Sequence, residues 1–286
     1  IFHFNNLNVS YLYGGITTFN GIGGHYGDAD QPLILETDEA FNTFEKVNIT
    51  DLLVLNIDSD HLDYFKNLDN YKDAFYKVMA NVTDNLVVNN DDLNIKSMKE
   101  LKNSVSYGKD ISADFKVQSP GNFIYENNKY EIESDIIGDH FKSNMLGAII
   151  LALLNGIEIK DSLNAIESFA GVKRRVELIG ISKGVLIYDD YGHHPTEMEA
   201  TITALKQQTE SRLYVVFQPH RYTRTKEYFN SFKDSLKLAD YAIVTDIYPA
   251  GETPIPGVSS KNFEEESIKY LKSIRYVPEY LSKKVQ

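Results

Sequence analysis

The chain has 286 residues, enough for two domains with a sizeable core, and its 42 % hydrophobic and 24 % charged content is ordinary for a globular protein. Asp and Glu (41) outnumber Lys and Arg (29), a net charge of −12 that argues against nucleic-acid or anionic-membrane partners. With no cysteine, disulfides, thiolate metal sites and Cys nucleophiles are excluded, and no apolar run is long enough to span a bilayer. No signal peptide is visible, so a cytoplasmic location is expected. The chain opens on Ile1 rather than Met and closes on "YLSKKVQ" within a helix-like pattern, so both ends are expected to be cut.

In chain order, "GGITTFNGIGGHYG" (14–27) comes first. It invites a phosphate-loop reading, but G-x-x-x-x-G-K-[ST] is absent from the whole chain, and Tyr26 stands where the third glycine of G-x-G-x-x-G belongs. A flexible loop is expected. "QPLILETDE" and "DLLVLNIDSD" read as short buried strands, each running into an acidic turn. "NYKDAFYKVMANV" reads as a helix, "DNLVVNNDD" as a strand and "GNFIYENNKYEIES" as a hairpin turning at Asn127-Asn128. "GDHFKSNMLGAIILALLNGI" is an apolar-faced helix closed by Gly156, with His140 and Asn144 one turn apart on one face.

From about Ala170 the pattern restarts, with a boundary near residues 170–176. "GVLIYDD", "RLYVVFQPH" and "YAIVTDIY" are expected strands; "PTEMEATITALKQQ", "TKEYFNSFKDSLKLA" and "SSKNFEEESIKYLKS" are expected helices. Such alternation predicts an α/β fold. Two parts are expected, over residues 1–172 and 173–286, with mostly parallel, doubly wound sheets. In these folds ligands bind at the carboxyl ends of the strands, where most of the chemically loaded residues fall.

Three clusters lie there. In "IYDDYGHHPTE" (187–197), Asp189, Asp190, Tyr191, His193 and His194 follow a strand and precede a proline-started helix. That arrangement suits a nucleotide or phosphate site, against the plainer reading of a solvated acidic turn; zinc is disfavoured, because adjacent histidines rarely address one metal. In "FQPHRYTRT" (217–225), Arg221 and Arg224 share a helical face beside His220, a set of donors suited to carboxylate or phosphate, or simply a surface basic patch. In "NIDSDHLD" (56–63), Asp58, Asp60, His61 and Asp63 offer ligands for Mg²⁺ or Mn²⁺, and the turn holding Glu36, Asp38 and Glu39 could complete a site; two exposed acidic loops are the alternative.

Together with "IYPAGETPIPG" (247–257) and "GDHFKSNMLGA", these motifs resemble the Mur ligases, ATP-dependent amide-forming enzymes of peptidoglycan synthesis. The resemblance runs from about Tyr13 to the end, and implies an incomplete central ATPase-type domain (1–172) followed by a Rossmann-like, doubly wound C-terminal domain (173–286). Within the family it is strongest to the member that joins L-alanine to UDP-N-acetylmuramate. The resemblance implies ATP and Mg²⁺ (or Mn²⁺) as cofactors, UDP-N-acetylmuramate and L-alanine as substrates, and an acyl-phosphate intermediate. It implies that Glu36 and His61 hold metal, that Asn144 faces adenine, and that Arg174 or Arg175 meets the nucleotide phosphates. Asp190 would lie at the ribose or γ-phosphate, and Tyr191 and His193 would line the nucleotide and intermediate site. His220, Arg221 and Arg224 would hold the alanine carboxylate and the reacting acyl group.

The chain departs from the family pattern at Ala40-Phe41, where Ser-Asp is usual, and at Phe141, where Asn is usual. The UDP-binding N-terminal domain, the phosphate loop and a late Gly-Ala-Gly segment are not found in it. The chain alone is therefore expected to have little or no ligase activity and to self-associate. A non-catalytic Mur-like remnant that binds nucleotide or muramyl ligand is the alternative, and a metal-dependent hydrolase the remotest reading.

Overall fold

The computed structural model describes residues 1–18, 21–98 and 104–284, with the side chain of Asp63 also outside the described set. Of the early glycine stretch, Phe19 and Asn20 lie outside the described residues. The chain divides into two compact units, Ile1–Lys173 and Arg174–Gln286. Among the described residues, no helix is long and apolar enough to cross a membrane.

The first unit begins with a small sheet in which β1 (Ser10–Leu12) pairs antiparallel with β2 (Gly24–His25) and parallel with β3 (Leu33–Leu35). The glycine stretch is thus tied down at its end by β2, and also by a bridge between Thr17 and Val172, where a flexible loop was expected. Six strands follow in sequential order in one sheet: β4 (Asp51–Val54), β5 (Asn85–Asn89), β6 (Ser104–Gly108), β7 (Phe115–Ser119), β8 (Asn122–Tyr125) and β9 (Asn128–Glu131). β4 to β7 pair in parallel, and β7 to β9 form an antiparallel meander. The β8–β9 turn is centred on Glu126 and Asn127, both at positive φ (48° and 65°), one residue earlier than expected. A two-residue hairpin of this hand needs positive φ at both central positions, and Asn128 already pairs with Tyr125.

The unbroken "LVV" of β5 reflects burial on both faces. Leu86 and Val88 join a core with Tyr71, Ala74 and Val78 of α2 (Leu68–Ala80), while Val87 joins Met145, Ile149 and Ile150 of α4 (Asp139–Leu154). Two short helices, α1 (Leu62–Phe65) and α3 (Leu93–Lys96), follow β4 and β5 respectively, and α5 (Ile159–Glu167) packs on α4. Helices on both faces of a parallel sheet leave the carboxyl ends of the strands open for chemistry.

The second unit opens with an antiparallel hairpin, β10 (Glu177–Ser182) and β11 (Val185–Asp189). Thus "GVLIYDD" is a strand as expected, but pairs with β10 rather than within the parallel sheet. That sheet consists of β12 (Tyr214–Phe217), β13 (Tyr241–Val244) and β14 (Ile268–Tyr270). Met198 and Ile202 of α6 (Pro195–Gln207) pack with Phe232 and Leu236 of α8 (Phe229–Leu236) and with Phe217, Ala242 and Val244. The expected single helix over 225–239 is two, α7 (Tyr222–Glu227) and α8, separated at Tyr228. The expected helix over 259–273 is overturned: Ser260–Phe263 is a single 3₁₀ turn and Ile268–Tyr270 is a strand. Fully buried Ile268 pairs with Ala242, so sheet burial outweighs the helix preference of the Glu-rich run before it. A last short helix, α9 (Val277–Ser282), follows.

Candidate functional site

In the first unit the loop after β4 is held from the next strand and helix. The Asn89 side-chain amide donates to the Leu55 carbonyl (3.0 Å) and that of Asn94 to the Ile57 carbonyl (2.6 Å). The loop ends at His61, which takes a left-handed conformation (φ 52°) before α1. Its Nε2 lies 3.9 Å from Glu39 Oε1 and 4.0 Å from Asp60 Oδ2. The Tyr71 hydroxyl donates to the same Glu39 oxygen at 3.1 Å. Tyr71 is 2 % exposed, and burial followed by the Glu39 charge pushes its phenol far above its ordinary range, so it remains a donor.

Glu36, by contrast, accepts the backbone N–H of Gly14 at 2.6 Å. Of the two glutamates on that acidic turn, Glu39 lies beside His61 together with Asp60, while Glu36 is engaged by Gly14. Among the described residues, no group of three or more His, Asp or Glu forms a metal cage. A Glu–His pair still suits Mg²⁺ or Mn²⁺, since Mg²⁺ is usually held by one or two protein carboxylates with water and phosphate completing its shell.

Ala40 is buried and Phe41 exposed, edge-on to Tyr64 at 5.6 Å. The Phe141 ring lies 4.2 Å from the His140 ring and packs against the core that includes Met145 and Ile149. Asn144 is half-buried on α4, one turn from His140.

In the second unit the turn after β11 is organised by two acids. Asp190 accepts the Val176 N–H (2.9 Å) through one oxygen and the Gly192 N–H (2.8 Å) through the other. A Cβ on Gly192 would sit 2.6 Å from Asp190 Oδ1, so a larger residue there would push the carboxylate off this contact. Glu197 accepts the backbone N–H groups of His193 (2.9 Å) and His194 (3.1 Å), forming a capping box with His194 at the start of α6. Arg175 reaches Glu197 at 3.5 Å, Arg174 pairs with Asp189 at 3.2 Å, and the Arg174 guanidinium lies over the Tyr191 ring at 4.9 Å. These contacts present Tyr191 and His193 side by side, with ring centroids 5.1 Å apart.

The loop after β12 meets this turn. The His193 and His220 rings stand 6.2 Å apart, and His220 stacks on Tyr248 at 5.5 Å. Arg224 is 9 % exposed, and Arg221, 37 % exposed, donates through Nε to Glu252 at 2.8 Å. Burial first, then the charges of Arg224, His193 and Arg221, push the His220 pKa below its ordinary value, so its ring is neutral at pH 7. Its Nδ1 is buried and has no hydrogen-bond partner among the described residues. Glu252 is held at about 2: burial alone would raise it, but the Thr223 hydroxyl and amide and the Arg221 guanidinium outweigh that. Two imidazoles with two arginines close to His220 are donors of the kind that suit a carboxylate, or an oxyanion developing at a reacting carbonyl.

A family model for the Mur ligase middle domain matches residues 37–152, and one for the Mur ligase glutamate ligase domain matches residues 174–281. The chain belongs to the Mur ligase family. Among its relatives, the UDP-N-acetylmuramate–L-alanine ligase of Dictyoglomus turgidum is 38 % identical over 276 residues, covering 92 % of this chain and 59 % of that protein. The enzyme of the same name from Caldicellulosiruptor bescii is 37 % identical over 292 residues, covering 97 % and 63 %. This Mur ligase chain thus spans about three fifths of the length of the curated relatives it matches. The crystal structure of UDP-N-acetylmuramate-alanine ligase MurC from Thermotoga maritima shares the fold, with a TM-score of 0.76 at 22 % identity, covering 97 % of this chain and 64 % of that one.

The loops after β11 and β12 thus bring together five residues singled out by sequence: Tyr191, His193, His220, Arg221 and Arg224. Arg174, Arg175 and Asp190 brace the same turn through Asp189, Glu197 and the Val176 and Gly192 amides. Sequence reasoning passed over Glu197 and Glu252. The first is signalled by its place three residues after the helix-capping His194, the second as the sole acid in the segment 247–257.

Proposed function

We propose that this Mur ligase chain serves the ATP-dependent joining of L-alanine to the muramyl carboxylate of UDP-N-acetylmuramate, an amide-forming step of peptidoglycan synthesis. The carrying observation is the facing of His193 and His220 beside Arg221 and Arg224. The name borne by relatives 37 % and 38 % identical supports the reading.

In this reaction a muramyl carboxylate oxygen attacks the γ-phosphorus of ATP and ADP leaves. The alanine nitrogen then attacks the acyl carbon, loses a proton, and expels phosphate. Arg221 and Arg224 hold the alanine carboxylate and orient its amine toward the acyl group. His193 donates to the tetrahedral oxyanion, which a preorganised donor stabilises without reorganisation. His220, neutral at pH 7, can take the proton that the amine gives up. Tyr191, backed by Arg174, offers a flat face to the nucleotide, and Arg175 offers charge to its phosphates. Asn144 faces the adenine. Glu39 and His61, with Glu36 on the same turn, would hold Mg²⁺ or Mn²⁺, which when bound neutralises phosphate charge.

Amide NMR of the ¹⁵N-labelled chain, titrated with L-alanine, tests the reading. Shifts confined to residues 190–197 and 220–225, weaker with L-lysine, are expected; no response to L-alanine would sink it. Phosphoryl transfer needs phosphates held in register, and the phosphate-loop pattern is absent from these 286 residues. The chain alone should therefore release little alanine-dependent phosphate in a coupled assay, and ordinary ligase rates would refute that expectation.

A further inference from the structure

The segment 247–257 carries a single acid, Glu252. Its carboxylate lies within an otherwise cationic cluster, with 16 % of the side chain exposed. Oε1 accepts the Arg221 Nε–H (2.8 Å) and the Thr223 hydroxyl (2.6 Å), and Oε2 accepts the Thr223 backbone N–H (3.0 Å).

The backbone on both sides is built to bring these groups together. The Arg221 N–H donates to the Tyr248 carbonyl and the Tyr248 N–H to the Pro219 carbonyl, both at 2.8 Å, so the loops after β12 and β13 are stitched together. Beyond Tyr248 the chain reverses through Ala250 and Gly251, at φ 46° and 86°, with the Glu252 N–H closing on the Pro249 carbonyl at 2.9 Å. An alanine at positive φ is costly, as is Arg221 at φ 71°; such strain persists only where surrounding contacts over-determine it.

The mode of contact matters more than its strength. A carboxylate commonly grips arginine with both oxygens. Glu252 instead gives its second oxygen to Thr223 and takes only the Nε–H. A guanidinium has five N–H donors, so the four on the terminal nitrogens stay available while Nε is fixed.

We propose that Glu252 is a positioning residue: it pins the Arg221 guanidinium by Nε so that the terminal N–H groups are presented to a carboxylate-bearing ligand. The identity of that ligand as the amino-acid substrate rests on the function proposed above; the pin itself does not. Glu252 touches no reacting atom and acts through Arg221.

The experiment has a ligand-free arm and a ligand arm. In ¹H–¹⁵N spectra tuned to arginine side chains, the Arg221 Nε–H signal is expected to be sharp and slow to exchange at pH 7. Glu252→Gln is expected to lose it and Glu252→Asp to restore part of it. An unchanged signal in Glu252→Gln overturns the pin. In L-alanine titrations followed by amide shifts, Glu252→Gln should weaken binding about tenfold, equivalent to roughly 1.4 kcal/mol. Arg221→Lys should weaken it similarly, and the double variant should bind no more weakly than Arg221→Lys alone. Equal weakening by Glu252→Gln in both backgrounds overturns action through Arg221. If Glu252→Gln does not fold, Thr223→Val, which removes only one hydroxyl from the carboxylate, should broaden the same Nε–H signal, and an unaltered signal again overturns the pin. If the wild-type chain does not respond to L-alanine, the proposed function falls while the ligand-free arm still decides the role of Glu252.

Discussion

At the scale of single residues, three ionisable groups show how the site is set. Glu197 is drawn below its ordinary value although burial opposes this, because it accepts the N–H groups of His193 and His194 and lies near Arg175. A depressed carboxyl stabilises the fold fully above its unfolded value and loses that contribution as pH falls through the folded one. Glu252, at about 2, behaves likewise. Thermal unfolding should therefore show stability falling between about pH 4.5 and 2. That fall should be shallower in Glu252→Gln; identical slopes would contradict the assignment. For Glu197→Ala, loss of the capping box should cost about 1 kcal/mol at pH 7 in urea titrations.

His220 acts in the same direction, but at higher pH. Its lowered pKa makes protonation unfavourable in the folded state, so its penalty sets in as pH drops below the unfolded value near 6.5. Its NMR titration midpoint should lie below that of a free histidine and rise in Arg224→Ala, the largest charge acting on it. A midpoint unmoved by that substitution would show that burial alone sets it.

At the scale of elements, strand ends were easier to read than pairing. The acidic and histidine-rich turns after β4, β11 and β12 were legible because polar residues following a buried apolar run mark an open carboxyl edge. What β11 pairs with was not, since nothing in "GVLIYDD" distinguishes an antiparallel hairpin from an inner parallel strand. β14 was hidden for a related reason: its three residues are too few to outvote the helix-forming composition before them, and only the groove beside β13 decides. The contact of Glu39 with Tyr71 was likewise hidden, because no local spacing links that residue of α2 to the acidic turn.

Helix α4 offers a sharp test at this scale. A Cβ on Gly147 would meet Leu53 Cδ1 at 2.8 Å and the Tyr107 hydroxyl at 3.1 Å, so any larger residue must push these side chains aside in the packing against β4 and β6. Gly147→Ala should destabilise the first unit by about 1–3 kcal/mol in chemical denaturation despite alanine's better helix propensity. A gain in stability would mean that α4 can lift off the sheet without penalty.

At the scale of the whole molecule, an acidic chain still sets two imidazoles and two arginines close together around His220, so its net charge alone says little about the ligand. The β10–β11 hairpin is the other large-scale feature. Leu178, Ile179, Ile181, Val185, Leu186 and Ile187 are all exposed on a ribbon of two strands. Contiguous apolar surface of this kind drives association. The wild-type chain is expected to elute above its monomer mass on gel filtration, and the double variant Ile181→Lys, Leu186→Lys to shift toward monomer with its melting temperature kept. A monodisperse wild-type monomer would contradict this.

Asp190 has a consequence for how variants of this protein are to be interpreted. Because its two oxygens tie Val176, held at φ 52°, to Gly192, the carboxylate is a splice between the approach to β10 and the histidine turn. Replacing it would displace Tyr191 and His193 together, and ligand affinity would fall just as if a direct contact had been removed. A loss of nucleotide or alanine binding in Asp190→Asn therefore identifies a broken splice unless the His193 backbone amide keeps its wild-type chemical shift.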